Sequence, residues 1–198
     1  MKTEYEARKL DISTSELIEQ LKSNKANLIG CFHQKRYVYD FIPPEKGHWI
    51  RLRTNGNLST LAIKEIVSKN VDGTKELEII VSNFEDTNTI LSKLGFLPRS
   101  FQENFRVEYE LDNVKLDIDK WPMIPPFLEI EGDSIESIYN MLVILRFNNK
   151  DITTIDVDSL YREKYNIELD NIPHLTFTDK ELIEIERIKS HILNDKHL

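Results

Sequence analysis

Charged and apolar residues alternate strictly in the segment 127–132, which reads Phe-Leu-Glu-Ile-Glu-Gly. Successive side chains of a β-strand point to opposite faces of a sheet, so Glu129 and Glu131 share one face while Leu128 and Ile130 share the other. A single strand of this kind is usually the solvated face of an ordinary sheet. The pattern constrains the fold because it returns throughout the first two thirds of the chain.

Seven further segments have the composition of strands, and most are joined by short turns. Glu4, Glu6 and Arg8 alternate with other residues near the N-terminus, and Asn55 and Gly56 make a strong hairpin turn. Eight antiparallel strands can close into a barrel. We therefore predict an α+β fold, an eight-stranded antiparallel β-barrel with helices packed outside. The predicted strands span residues 3–10, 34–42, 48–54, 58–67, 75–82, 101–111, 114–119 and 127–131.

Capping residues followed by apolar stripes predict the helices. Ser13 and Glu16 have the spacing of a capping box, and they precede a stripe that we extend to Leu28. The chain after Gly132 is predicted to be a helical extension packed on the barrel, so residues 1–132 and 133–198 form one domain. Further helices are predicted over residues 85–94, from 133 onwards, over 157–165 and from 178 onwards.

The predicted barrel has a charged interior if helices cover the apolar faces of its strands; a solvated sandwich face is the alternative. Buried charges are costly unless they are paired or bind a ligand. The bases suit a multiply charged anion, and the surplus of carboxylates suits Mg²⁺, which prefers carboxylate and phosphate oxygens together. The charged faces carry Glu4, Glu6, Glu76, Glu78, Glu108, Glu110, Asp117, Asp119, Glu129 and Glu131, with Arg8, Arg51, Arg53, Lys64, Arg106 and Lys115.

Composition limits the classes of partner and the compartment. The net charge of −8 argues against a nucleic-acid or anionic-membrane surface. Cys31 is the single cysteine, which excludes an internal disulfide and fits a reducing cytoplasm. No apolar run approaches the length of a membrane span, and the N-terminus lacks the pattern of a signal peptide. We expect a cytoplasmic protein.

In the order and spacing of these elements, the chain resembles the CYTH superfamily, the triphosphate tunnel metalloenzymes, over residues 3–132. The N-terminal Glu-x-Glu-x-Lys of that family is similar to the segment from Glu4 to Arg8, where arginine replaces the lysine. The late Lys-x-Arg matches Asn104 and Arg106, so this lysine is absent. The other matches are Arg51 and Arg53, Lys64, Glu76 and Glu78, Asp119, and Glu129 with Glu131.

The resemblance implies a tunnel that holds a triphosphate together with Mg²⁺ or Mn²⁺. It implies triphosphate binding by Arg8, Arg51, Arg53, Lys64 and Arg106. It implies metal binding by Glu4, Glu6, Glu129 and Glu131, with Glu78 and Asp119 as secondary candidates. We expect the catalytic charges at Arg8, Lys64 and Lys115. Lys115 would act as a base only if a dry lumen lowered its pKa, and a salt-bridged lysine is the alternative.

Three functions fit these residues, and the resemblance leads us to expect the first of them, the cyclase. In a class IV adenylyl cyclase, to which segment 90–96 is similar, the ribose 3′-hydroxyl attacks the α-phosphate of ATP and pyrophosphate leaves. In a triphosphatase, water attacks the terminal phosphate of inorganic triphosphate, thiamine triphosphate or a nucleoside triphosphate. A non-catalytic module that binds polyphosphate or a nucleotide is the third, because Arg8 and Asn104 depart from the family pattern. The expected partner is a triphosphate-containing small molecule, and a homodimer stays an open alternative.

Two details of the predicted lumen are also testable. Phe32, Tyr37, Tyr39 and Trp121 are candidates for stacking on a base, with core or lid as the alternative roles. Because Asn104 carries no charge, we expect Asn104→Lys to tighten triphosphate binding or to leave it unchanged.

Overall fold

The computed structural model describes residues 1–194, which form ten strands and five α-helices. The barrel region contains β1 (Lys2–Lys9), α1 (Thr14–Ser23), β2 (Asn27–Tyr39), β3 (His48–Thr54), β4 (Ser59–Ile66), β5 (Thr74–Val81), α2 (Phe84–Lys93), β6 (Pro98–Leu111), β7 (Val114–Lys120) and β8 (Phe127–Gly132). The C-terminal region contains α3 (Ile135–Ile144), β9 (Ile152–Thr153), α4 (Val157–Tyr165), β10 (His174–Leu175) and α5 (Asp179–Asn194).

The first eight strands form a closed antiparallel barrel, as predicted. Neighbouring strands follow the order β6-β2-β3-β4-β5-β1-β8-β7, and the pairing of β6 with β7 closes the ring. Closure gives each of the eight strands two neighbouring strands, although β1 and β5 share only three residue pairs. β9 pairs with β1 where β1 runs past β5, and β10 pairs with β6 where β6 runs past β7.

Strand β2 is longer than predicted, and it corrects the predicted stripe of the first helix. Helix α1 ends at Ser23 because Lys25 adopts a positive φ of 61°, which turns the chain. Leu28 therefore belongs to β2 and not to the helix. β2 pairs with β6 from the Asn27–Glu110 pair to the Tyr39–Pro98 pair, and this long ladder stabilises residues whose sequence alternates poorly.

Three apolar clusters hold the helices against the outside of the barrel. The largest lies under α1, α3 and α5 and contains Leu17, Leu116 and Leu142. The second surrounds Trp121 at the end of β7 and contains Leu160 of α4. The third packs α2 against β3. The apolar faces of these strands are thus covered and the charged faces point inward, as predicted.

The outer face of β5 is an exception to this prediction. Leu77 and Ile79 point away from the lumen and are 52% and 55% exposed. No helix of the described chain covers them, because α2 lies over β3. The helices therefore cover the apolar faces of the strands as far as β4 but not that of β5.

Candidate active site

The lumen is a cavity of about 1390 Å³ lined mainly by charged side chains. Strand parity places these residues: the register of β1 on β8 sets Glu6 opposite Glu131 and Arg8 opposite Glu129, and paired residues share a face. Glu4 contacts Lys64 at 2.8 Å. The structure therefore brings the predicted residues together. Those that line the cavity are Glu6, Arg8, Arg51, Arg53, Lys64, Glu78, Arg106, Lys115, Asp119, Glu129 and Glu131.

Glu129 links two arginines on one wall. One carboxylate oxygen lies 2.7 Å from Arg8, and the other accepts a hydrogen bond of 3.0 Å from Arg106. Although burial opposes its charge, Arg8 and Arg106 hold the pKa of Glu129 well below its usual range. Arg106 also donates two hydrogen bonds of 2.8 and 2.6 Å to Asp119. This wall is a compensated network in which the carboxylates hold the arginines in place.

A second network covers the opposite strands. Arg51 lies 2.8 Å from Glu76 and 3.1 Å from Glu78, while Lys64 lies 3.7 Å from Glu76. Burial raises the pKa of Glu4 to about 8, although the charge of Lys64 opposes this shift. A hydrogen bond shared with Glu76 raises the pKa further. The Glu4 carboxyl therefore takes up a proton more readily than an exposed glutamate does.

Arg36 is a lumen residue that the sequence analysis missed. It lies on β2, is 8% exposed, and donates hydrogen bonds to the side-chain oxygens of Gln34 and Asn104. Its guanidinium lies over the ring of Trp121, 4.4 Å from the centroid. The sequence does show that Gln34, Arg36 and Val38 share one face of β2. The β2–β3 register pairs Arg36 with Arg53 and Val38 with Arg51, so this face points into the lumen.

Arginine side chains cluster at the end of the lumen that contains Arg36. The charge of Arg51, then burial and the charge of Arg106, lower the pKa of Arg53 to about 10. Arg53 has a single ion pair among the described residues, a 3.4 Å contact with Glu78. A buried set of mutually repelling arginines favours the binding of an anion.

The carboxylates predicted to bind a metal would need phosphate oxygens of a bound substrate to complete its coordination. No group of three or more His, Cys, Asp or Glu side chains within residues 1–194 is arranged to hold a metal by itself. Asp119 accepts hydrogen bonds from Arg106 and Asn104, and Glu129 is bound by Arg8 and Arg106, so both carboxylates are already engaged by protein donors. Glu6, Glu129 and Glu131 are neighbouring oxygen donors on β1 and β8. That set fits Mg²⁺ chemistry, since this ion usually binds one or two carboxylates plus substrate phosphates.

Lys115 is salt-bridged, which is the alternative role given to it above, and the condition for a base, a lowered pKa, is not met in this structure. Its side chain is 51% exposed and lies 3.0 Å from Glu131. Burial opposes its charge, but Glu131 raises the pKa of Lys115 above its ordinary value. A lysine of raised pKa stays protonated and cannot accept a proton.

The candidate stacking aromatics lie mostly in packed positions. Tyr39 is buried in the cluster beneath α2, and Tyr37 stacks on Phe84 outside the barrel. Trp121 is 2% exposed, and Arg36 covers its ring. Phe32 lines the cavity. Trp121 is therefore a support for Arg36 in this structure, and Phe32 is the one of these four rings that stays available to a ligand.

The fold and the lumen define a class of protein, a closed eight-stranded β-tunnel with a charged interior. The predicted fold, an eight-stranded antiparallel β-barrel with helices packed outside, is confirmed. No protein-family model matches the chain, and no curated protein matches its sequence. No helix in residues 1–194 has the length and apolar character needed to cross a membrane.

Solved structures share this fold at low sequence identity. A protein of Pyrococcus horikoshii OT3 has a TM-score of 0.68 and 20% identity, covering 77% of this chain and 96% of its own. A candidate adenylyl cyclase of Hippeastrum, described as having a dominant triphosphatase activity, has a TM-score of 0.55 and 13% identity over 82% and 96%. A chain of the Schizosaccharomyces pombe Mediator head module has a TM-score of 0.52 and 13% identity over 73% and 95%. Because a fold does not fix a function, the function is argued from the site.

Proposed function

We propose that this protein is a metal-dependent enzyme that binds a triphosphate in its tunnel and cleaves a phosphoanhydride bond. The observation that carries the proposal is the cluster of arginines around Arg53, which is partly buried and has, among the described residues, one ion pair, a 3.4 Å contact with Glu78; Arg51 first, then burial and Arg106, lower the pKa of Arg53 to about 10. Phosphoryl transfer requires mainly positioning and neutralisation of charge on the phosphates, which such residues provide. A triphosphate supplies the several negative charges that the cluster lacks.

The two arginine networks have different roles in this proposal. Arg8, Arg106 and Lys64 are fixed by carboxylates at 2.7–3.0 Å, so they would orient the phosphate chain without reorganisation. Arg51 and Arg53 would bind phosphate oxygens with their remaining donors. Glu6, Glu129 and Glu131 would hold Mg²⁺ or Mn²⁺, which, when bound, neutralises charge on the phosphate oxygens.

Hydrolysis by water is the reaction that the geometry favours over cyclisation. A cyclase must also hold a base and a ribose, and Trp121, a candidate for stacking on the base, is covered by Arg36 at 4.4 Å. The Hippeastrum protein of similar fold, described as a candidate cyclase with dominant triphosphatase activity, is consistent with this choice. Adenylyl cyclase activity is the second candidate, in which Phe32 would contact the base.

Product analysis tests the proposal. The protein is incubated with ATP, thiamine triphosphate and inorganic triphosphate, each with Mg²⁺ and with Mn²⁺. We expect orthophosphate from at least one of them and a loss of turnover of at least tenfold in Arg53→Gln, while Lys35→Gln, which removes an exposed charge from β2, stays within twofold. Cyclic AMP with pyrophosphate would select the cyclase instead. Tight binding of inorganic triphosphate without any turnover would reduce the protein to a binding module.

A further inference from the structure

Two arginines lie directly opposite each other inside the tunnel. The antiparallel register of β2 and β3 pairs Arg36 with Arg53, and both line the cavity. Like charges at directly opposite positions of a sheet destabilise it, so this pair costs stability in the protein alone. A cost of this kind inside a tunnel indicates a role in binding.

The contacts of Arg36 leave its charge uncompensated. Within residues 1–194, no carboxylate lies within 4.0 Å of its guanidinium, whose two hydrogen-bond acceptors are the amide oxygens of Gln34 and Asn104. Its buried Nε has no partner, and neither has the buried indole Nε1 of Trp121 beneath it. Two unpaired buried donors at one end of the cavity favour a ligand that brings acceptor oxygens.

The charges around Arg36 have the same sign. Burial, followed by the charges of Arg51, Arg53 and Arg106, lowers the pKa of Arg36 well below its ordinary value, and Asp119 opposes this only in part. Stacking on Trp121 holds the planar guanidinium in one orientation, and a planar fork matches two oxygens of a phosphate group. Arginine is thus fixed here in the form that binds a tetrahedral oxyanion.

We propose that Arg36 and Arg53 form a two-arginine clamp for one phosphate group of the ligand, and that Arg36 supplies from β2 the positive charge that Asn104 does not supply from β6. The inference rests on the proposed function and adds a binding residue on β2 to it. The clamp accepts a phosphate between two strands, with Trp121 as its rigid floor.

The contacts of Asn104 explain why a positive charge at position 36 excludes a second one at position 104. Its side chain is fully buried, accepts a hydrogen bond from Arg36 and donates one of 3.1 Å to Asp119. A lysine at this position would remove one of the two acceptors of Arg36 and add a third cation beside Arg36 and Arg106. The expectation that Asn104→Lys leaves binding unharmed therefore conflicts with the contacts, and we expect that single variant to weaken binding.

Calorimetric titration with inorganic triphosphate in the presence of a chelator tests the clamp without metal and without turnover. We expect Arg36→Gln to raise the Kd by about ten- to hundredfold, the scale of one or two charge-assisted contacts. Lys35→Gln, one position along β2 and exposed, should stay within twofold of the parent. The double variant Arg36→Gln/Asn104→Lys, which moves the charge from β2 to β6, should recover to within about tenfold of the parent.

Each outcome separates the clamp from the function on which it rests. A parent protein that does not bind inorganic triphosphate overturns the proposed function. A parent that binds, with Arg36→Gln equal to it, overturns the clamp and leaves the function standing. A double variant no better than Arg36→Gln overturns the exchange of charge between positions 36 and 104. If thermal unfolding shows that Arg36→Gln does not fold, Arg36→Lys replaces it: loss of the fork should weaken binding severalfold, and an unchanged Kd overturns the clamp.

Discussion

At the scale of single residues, the lumen contains acids that its own charges do not fully compensate. Asp117 is 1% exposed, and while one oxygen pairs with Arg106, the other is buried without a partner. Burial, with the charges of Asp119 and Glu129, raises the pKa of Asp117 to about 8 against the pull of Arg106. This carboxyl is therefore protonated at neutral pH in the folded protein.

This raised pKa predicts a loss of stability as the pH rises from about 4 to about 8. The unfolded chain releases the proton near pH 3.8 and the folded chain near pH 8, so unfolding releases a proton between these values. The free energy of unfolding should then fall as pH rises from 4 to 8, by at most about 1.4 kcal/mol per pH unit. Asp117→Asn should reduce this slope in urea unfolding between pH 6 and 9. The exposed Asp112→Asn serves as control, and equal slopes in all three proteins would contradict the assignment.

Residue positions in the lumen were predictable wherever a strand alternates clearly. Parity alone places Glu129 and Glu131 inward, and the structure agrees. Arg36 was missed because β2 mixes aromatic and polar residues, so only its pairing with β3 reveals which face is inward. The ion-pair partners were equally unpredictable, since they depend on barrel closure and side-chain reach.

At the scale of elements, helix starts were easier to predict than their caps. The Ser13–Glu16 capping box is absent: α1 begins where predicted, but Ser13 makes no side-chain cap hydrogen bond. In α3, Ser134 accepts a hydrogen bond of 3.1 Å from the Ser137 N–H, and Ser137 caps in return. The capping box of α5 is present: Glu181 accepts a hydrogen bond of 3.0 Å from the Thr178 N–H, and the Thr178 hydroxyl accepts one of 3.4 Å from the Glu181 N–H. Spacing identifies candidate caps, and local backbone geometry decides which of them form.

This difference predicts unequal costs for two equivalent substitutions. Ser134→Ala removes a formed cap and should lower the free energy of unfolding by about 1 kcal/mol. Ser13→Ala removes a side chain that makes no cap bond, so it should cost less than about 0.5 kcal/mol. Urea denaturation of both variants gives the comparison. A larger loss in Ser13→Ala would show that α1 is capped in solution by Ser13 after all.

At the scale of the whole molecule, the barrel was predictable because two requirements act together. Eight alternating strands need a closed sheet, and apolar helices need the outer faces of that sheet. The positions of β9 and β10 were not predictable, since each spans two residues and is set by contact with β1 or β6. The C-terminal region also reaches the lumen: Arg8 donates a 2.8 Å hydrogen bond to the Ile155 carbonyl. The C-terminal region is thus hydrogen-bonded to a residue that lines the lumen.

Because of this contact, we expect a ligand bound in the lumen to raise the Tm of the whole chain. A ligand that binds only the folded protein stabilises it by about 2.7 kcal/mol at one hundred times its Kd. Inorganic triphosphate should therefore raise Tm without metal, through the arginines, and Mg²⁺ should add a second increment through Glu129 and Glu131. Glu129→Gln/Glu131→Gln keeps the shape but removes the charges, so it should retain the first increment and lose the second.

The matched control for this experiment is Glu16→Gln/Glu136→Gln, which neutralises two exposed carboxylates on helices. It should keep both increments, since neither side chain lies in the lumen. Thermal scans of the three proteins, with and without Mg²⁺, are sufficient for the comparison. Because Mg²⁺ also binds triphosphate in solution, only the difference between variants at equal concentrations reports on the protein. A full Mg²⁺ increment in Glu129→Gln/Glu131→Gln would place the metal elsewhere and would leave those carboxylates the single role of holding Arg8, Arg106 and Lys115 in position.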